Sequence, residues 1–539
     1  MNLKIRDTLF FIIIISLVFN SIPKPLQMNF LGGPLGSQLI FYPVVIGFFY
    51  TGYCQYKKQD VLVDFNKLKR FMFFYVGVIF FSLIVGLYKY PYFDLITNGP
   101  INQIEKLPIV LNFLQTYGII IDNKFAIGLW MIARVIKGLL FEVLYTFGLS
   151  YMIYCWYKGD VKRAISILCK ALFVSVIILV GYSSIEILYL AGNTFATNIL
   201  KIINPYIHVI KTNGTWWPPL LWKNQLRSIF AEPSYFGIYC SFALPFIWLM
   251  IIKTKLNEKH AYVYMFLAFV MSFFLILTKA RTGFMLYVGE LVVLFILLLY
   301  VHNKLLFKKG LVILLCSMVA FVCGNLFITN YMTINKITNT KLTTNTKLTT
   351  NKKLTTNKKL TATISNYIDS NVKSLANPDA RSNRARYSVM EADIKVGLEY
   401  PLFGVGSGLR NAYVINAFSK TALENKEIKM WLDFSKRLGI LKAGIPKLGE
   451  YTSRFSETGV LGLLVFLFPV TCLVVNMLSK LKRISEDEQI TFIMYLTSLS
   501  GILASGIGDT INITYCYWVL LGLGYVMCFG KIDEKLDNE

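Results

Sequence analysis

The sequence predicts an all-α, polytopic integral membrane protein with about 12 transmembrane helices and a large late extracytoplasmic loop. Three observations point there. Charged residues are only 16% of the 539 residues, whereas soluble domains carry about 25%. Hydrophobic residues reach 55%, with 41 Phe and 32 Tyr, and mean hydropathy is +0.54. Apolar runs of about 20 residues, long enough to cross a bilayer as a helix, recur along most of the chain. Such a composition excludes a soluble enzyme, a disordered chain and a fibrous one.

The expected spans are roughly 8–22, 36–53, 71–88, 128–157, 165–191, 235–252, 261–278, 283–301, 310–328, 457–478, 490–507 and 512–530. The first is a span and no signal peptide: it lacks a clear small-residue cleavage site, and Pro23, Lys24 and Pro25 follow it. The second contains Pro43 and several Gly, which favour a bend. The fourth is too long for one straight crossing, so a tilt or a break is expected.

Charge orients the spans. With the N terminus in the cytoplasm, the inner loops hold Lys4 and Arg6; Lys57, Lys58, Lys67, Lys69 and Arg70; Lys158, Lys162 and Arg163; Lys253, Lys255 and Lys259; Lys304, Lys308 and Lys309; and Lys480, Lys482 and Arg483. The outer loops hold fewer cations over longer segments. Both termini are therefore expected inside.

The chain divides into three parts. Residues 1–328 carry spans one to nine, including an outer loop at 192–234. Residues 329–456 form the extracytoplasmic loop, and 457–539 carry the last three spans and a cytoplasmic tail. The large loop contains a hexapeptide tract over 339–362: NTKLTT twice, then NKKLTT and NKKLTA. Four short polar copies with one Leu each cannot bury a core. A disordered, positively charged spacer is expected, in preference to a β-helix or an electrostatic tether.

The formal net charge is +25. Inner-loop cations and the repeat tract account for it, and no basic region interleaves aromatics on a soluble fold, so nucleic acid is not an expected partner. The nine Cys lie in or beside apolar segments with no C-x-x-C pair, and the three His are scattered. Neither a disulfide framework nor a metal site is expected, and no cofactor.

Ionisable residues at the outer face are the candidates for chemistry, because charges near spans are costly. The densest cluster is QLRSIFAEPSYFG over 225–237, with Arg227 and Glu232 ahead of the helix-starting Pro233. The Trp-rich WWPPLLW of 216–222 precedes it and suits a membrane interface. A mutual salt bridge between Arg227 and Glu232 is the structural alternative. TKARTG over 278–283 joins two spans and places Lys279 and Arg281 outside, against the charge bias. An Arg fork there suits phosphate oxygens; snorkelling cations are the alternative. RSNRARY over 381–387, with Arg384 and Arg386, leads to YPLFGVGSG over 400–408, whose turn is expected to expose backbone amides. A helix running into a turn explains both equally well. EYTSRFSETG over 450–459 gathers Glu450, Arg454 and Glu457; an amphipathic segment at the headgroups is its alternative. Arg134, Lys137, Glu142 and Glu290 are expected to pair within the bundle, and Asp509 lies in the last outer turn.

The ordered set LRSIFAEPSYFG, KARTG, a large loop containing YPLFGVGSG, and SETGVLGLLVFLF resembles the O-antigen polymerase and ligase superfamily. These are bacterial integral membrane proteins that handle polyprenyl-diphosphate-linked glycans. The resemblance covers about 200–480. It implies a fold similar to the C-type membrane glycosyltransferases, and metal-independent inverting glycosyl transfer at the outer face of the plasma membrane. Diphosphate-gripping residues would be Arg227 and Arg281, with Lys279, Arg384 and Arg386. Ligases of the superfamily carry an H-N-x-x-L-like stretch before the post-loop span; counting back from Gly459, its His and Asn fall at Leu448 and Gly449. That departure favours a repeat-unit polymerase over a ligase. The acceptor hydroxyl needs a base: Glu232 first, with Glu450 and Glu457 on the acceptor side. A lipid-linked oligosaccharide flippase is the alternative of another class, but the chain lacks two similar halves. Expected partners are the lipid-linked glycan, the bilayer, a flippase and a chain-length regulator.

Overall fold

The computed structural model describes residues 2–19, 23, 26–28, 38–57, 59, 62, 66–208, 225–255, 257–332 and 381–529. The repeat tract 339–362 and the Trp-rich 216–222 lie outside these. No strand occurs among the described residues. The main helices are α1 (Leu3–Ser16), α2 (Phe41–Tyr56), α3 (Asn66–Tyr88), α4 (Leu107–Thr116), α5 (Asn123–Val143), α6 (Leu149–Tyr157), α7 (Val161–Leu190), α8 (Thr194–Ile207), α9 (Pro233–Lys253), α10 (Lys259–Leu277), α11 (Arg281–Val301), α12 (Lys304–Phe327), α13 (Arg381–Glu399), α14 (Arg410–Ala417), α15 (Lys426–Leu438), α16 (Glu450–Lys480), α17 (Glu486–Ser505) and α18 (Cys516–Phe529).

Side-chain caps mark many of the starts. Asp122 accepts from the amides of Lys124 and Phe125, Asn193 from Ala196, and Asn303 from Leu305 and Leu306. Each satisfies amides that a helix N-terminus leaves open. Pro233 sits in the first turn of α9, where a missing N–H costs nothing. Among the described residues, seven helices are long and apolar enough to cross a membrane: α3, α7, α9, α10, α11, α12 and α16. The other expected spans also coincide with helices: α1, α2, α17 and α18, and α5 joined to α6 through a π-helical turn over Leu144–Gly148.

α9 is the centre of the bundle. Its apolar stretch is 89% buried, and it packs against α7, α10, α11 and α17. Gly237 of α9 faces Gly283 of α11 so closely that a Cβ on either would come within 3 Å of the other's Cα. Basic loops meet at one end, here the basic end. There Arg6 donates to the Trp156 carbonyl, Lys253 pairs with Asp487 at 2.9 Å, and Lys482 lies over the Tyr300 ring.

The opposite end, the loop end, holds a second apolar core. Leu83, Tyr90, Ile96, Leu107 and Met131 pack there with Val389, Val396, Tyr413, Ile428 and Ile445. The short connector after α3 is thus part of the same unit as the late loop. Its mixed polarity hides this in sequence, because it buries apolar residues only against a segment some 300 positions away. A buried ion pair holds the unit: Arg410 grips Asp393 with Nε at 2.5 Å and Nη2 at 2.8 Å, and Ser456 of α16 donates to the same carboxylate.

Candidate active site at the loop end

Four separate segments converge at the loop end. The α10–α11 turn comes first. Thr278 accepts from the Ala280 amide at 3.0 Å, and Lys279 adopts φ +51, a left-handed turn that delivers Arg281 to the start of α11. The Gly237–Gly283 contact sets that start beside the Glu232–Tyr235 entry to α9. α13 then brings Arg386 and Tyr387 into electrostatic range of Arg281. The α17–α18 turn completes the group. Arg386 donates to the Gly508 carbonyl, and its Nη1 lies 3.5 Å from Asp509 Oδ2. Tyr235 senses Glu232, Asp509 and Arg386 together. Burial pushes the Asp509 carboxyl up, against the pull of Arg386. Glu232 caps α9, half-buried, and accepts from the Ser234 hydroxyl at 3.4 Å. Arg384 is also half-buried on α13, and Lys279 on the turn.

Arg227 is built differently. It is 3% exposed. The amides of Arg227 and Ser228 donate to the Glu186 carboxylate at 3.2 and 2.7 Å, and its Nη1 donates to the Ala231 carbonyl at 3.4 Å. Its guanidinium is also engaged by Tyr182. Burial pulls the Arg227 guanidinium down while Glu186 and Tyr182 hold it up. His208, paired with Tyr182 at 2.9 Å, is held well below the usual imidazole range by burial and by Arg227. Arg227 therefore fixes the irregular 225–232 segment on α7 and α8, and that segment carries Glu232. Glu186 escaped the sequence reading. A lone acid in an apolar run is its only local signal, and its partner stands 41 positions away.

Glu450, Glu457 and Arg454 form a third group. Glu450 accepts from Arg454 at 2.5 Å and from the Ile511 amide at 3.1 Å. It is committed to holding the Asp509 turn. Arg454 also donates to Tyr75 at 2.7 Å and lies 3.6 Å from Glu142. Glu457 pairs with Lys447 at 2.7 Å. A cavity of about 490 Å³ opens here, lined by Arg134, Glu142, Gly408, Lys447 and Glu457 among others. Glu142 accepts from Tyr75 and so pairs within the bundle as expected, whereas Arg134 donates to the Leu441 carbonyl of the late loop. Glu290 is buried between Ser241 and Gly501.

The glycine run departs from expectation. The amides of Gly404, Val405 and Gly406 are spent within the protein. Gly459, at φ +66, breaks α16, and the 400–406 turn docks on the break. Val405 and Gly406 donate to the Ser456 and Glu457 carbonyls at 2.9 Å each, and Val460 donates to the Pro401 carbonyl at 2.8 Å. YPLFGVG and SETG are two halves of one backbone joint. Buried amides must find acceptors, and each half supplies the other's.

Residues 266–430 match the family model described as O-antigen ligase. This match supports the O-antigen polymerase and ligase superfamily. The matched segment contains Lys279, Arg281, Arg384 and Arg386, together with the glycine run. No curated protein matches the chain. A segment similar to the O-antigen ligase family, together with the seven described helices long and apolar enough to cross a membrane, points to a multi-pass membrane protein.

Proposed function

We propose that this protein polymerises polyprenyl-diphosphate-linked oligosaccharide repeat units at the outer face of the bacterial plasma membrane. The loop end is then extracytoplasmic and both termini are cytoplasmic. The carrying observation is the convergence of Arg281 and Arg386 with Glu232 and Asp509, from four segments far apart in sequence.

Glycosyl transfer from a lipid diphosphate builds negative charge on the leaving group. In this mechanism the acceptor hydroxyl attacks the anomeric carbon from the face opposite the diphosphate. A new C–O bond forms as the bond to the diphosphate oxygen breaks, and that oxygen keeps the electron pair. The configuration inverts. Arg281 and Arg386, with Arg384 and Lys279 beside them, stabilise the departing diphosphate as preorganised cations. Glu232 takes the hydroxyl proton. Arg227 positions the segment that carries it. The cavity lined by Glu457 and Glu142 lies on the acceptor side.

A ligase is the second reading, favoured by the family description. Against it stand Leu448 and Gly449, where ligases carry His and Asn. His208 is already paired with Tyr182, and His260 lines a cavity at the basic end.

Deleting the gene in its host and running surface glycan on a gel separates the readings. Single-unit product is expected. Accumulated lipid-linked polymer would mean a ligase, and repeat units trapped in the cytoplasm a flippase. Impermeant labelling of single cysteines at 227 and 281 tests the orientation, and reaction only from the cytosol would overturn it.

A further inference from the structure

Lys170 lies nine residues past the start of α7, about 14 Å along the axis. A cation at that depth in a spanning helix costs a few kcal/mol unless it meets water or an anion. Among the described residues no hydrogen bond or ion pair reaches its ammonium. It is exposed, and what it faces is a cavity of about 1230 Å³ at the basic end.

The cavity opens between α7, α9, α10, α17 and α18. Lys162, Lys253 and Lys480 line it beside Lys170. Two of the three acids on its wall lie beside cations. Asp487 pairs with Lys253 at 2.9 Å, Asp160 lies 3.7 Å from Arg6, and Glu488 accepts from Ser485 at 3.0 Å. With Lys253 paired to Asp487 and Asp160 beside Arg6, Lys162, Lys170 and Lys480 stand against the single carboxylate of Glu488, so the wall keeps a positive excess. Phe173, Leu249, Tyr264 and Met527 give the wall an apolar stretch, with His260, Ser166, Thr254 and Thr491 among its polar residues.

We propose that this cavity binds an anionic phospholipid, its phosphate held by Lys170 and Lys162 and its acyl chains laid along Phe173, Leu249 and Met527. The cavity has both halves of an amphiphile's chemistry, and basic pockets between spanning helices hold anionic headgroups. The site is at the opposite end from the Arg281–Arg386 group and is independent of the glycan reaction.

The test uses the full-length protein in detergent, given phosphatidylglycerol or phosphatidylcholine, with retained lipid counted by native mass spectrometry. Two lysines near a headgroup give roughly a 30-fold preference for phosphatidylglycerol. Lys162→Ala with Lys170→Ala is expected to bring that preference close to one. Lys304→Ala, exposed at the same end outside the cavity, is expected to leave it unchanged. Equal retention of the two lipids by the wild type overturns the proposal, and this arm does not depend on the variant folding. Inorganic phosphate stabilising the protein as much as phosphatidylglycerol also overturns it, because the site would then hold an ion alone.

Discussion

Arg386 and Asp509 meet at the loop end, 3.5 Å apart in space and 123 positions apart in sequence. The pair ties α13 to the α17–α18 turn, and Glu450 holds the same turn by accepting from the Ile511 amide. Arg281 stands within electrostatic range of Arg386. Two cations kept close by the fold make a site that an anion would relieve.

Arg281→Ala is expected to lower polymer formation by roughly 100-fold or more, as loss of one preorganised charge does, with membrane levels unchanged. Arg281→Lys recovers part of it, since a point charge lacks the fork. Polymer length on gels and immunoblots of membranes measure both. Full-length polymer from Arg281→Ala would make that Arg structural.

Arg227→Ala is expected to act through stability. It leaves Glu186 buried without its cation, a change that costs about 3–5 kcal/mol. Folded protein falls, and adding Glu186→Gln restores much of it. The melting temperatures of the two single variants and the double variant test the coupling. Additive losses would show that the two residues do not interact.

The Asp509 carboxyl is raised by burial, with Arg386 opposing. A carboxyl raised on folding stabilises the fold fully below its unfolded value, and that contribution is lost as pH rises through the folded value. Asp509→Asn is therefore expected to match the wild type near pH 4 and to melt higher at about pH 8. A wild type that melts above the variant at the higher pH would mean that Arg386 outweighs burial.

Gly459→Ala is expected to destabilise the protein by about 1–3 kcal/mol, the cost of holding a non-glycine residue in a sparsely populated backbone region. The added Cβ also meets the Leu402 backbone. Denaturation midpoints in detergent measure it, and an unchanged midpoint would mean that the joint can shift.

Deleting Asn339–Ala362 is expected to leave polymer formation largely intact. Complete loss would give the tract a role beyond spacing.

The sequence alone was enough to find the long apolar helices, though not the shorter α4, α8, α14 and α15. Burying an apolar run needs no partner of known identity, so its length and hydropathy mark it locally, and every expected span coincides with a helix. It also marked Arg281 and Glu232 as candidates, as charges beside apolar runs, and Arg386 within a basic cluster of the late loop, while Asp509 figured only as part of the last outer turn. Which charges meet was decided only by tertiary structure. Arg227 and Glu232 are neighbours in sequence, yet the backbone at Arg227 turns to Glu186, while Glu232 joins a group from three other segments. The sequence predicts for the glycine run a turn with exposed amides, or simply the turn after a helix; the amides of Val405 and Gly406 are instead spent on α16, as half of a backbone joint. Pairing energies depend on distance in space, and local sequence carries no measure of that distance.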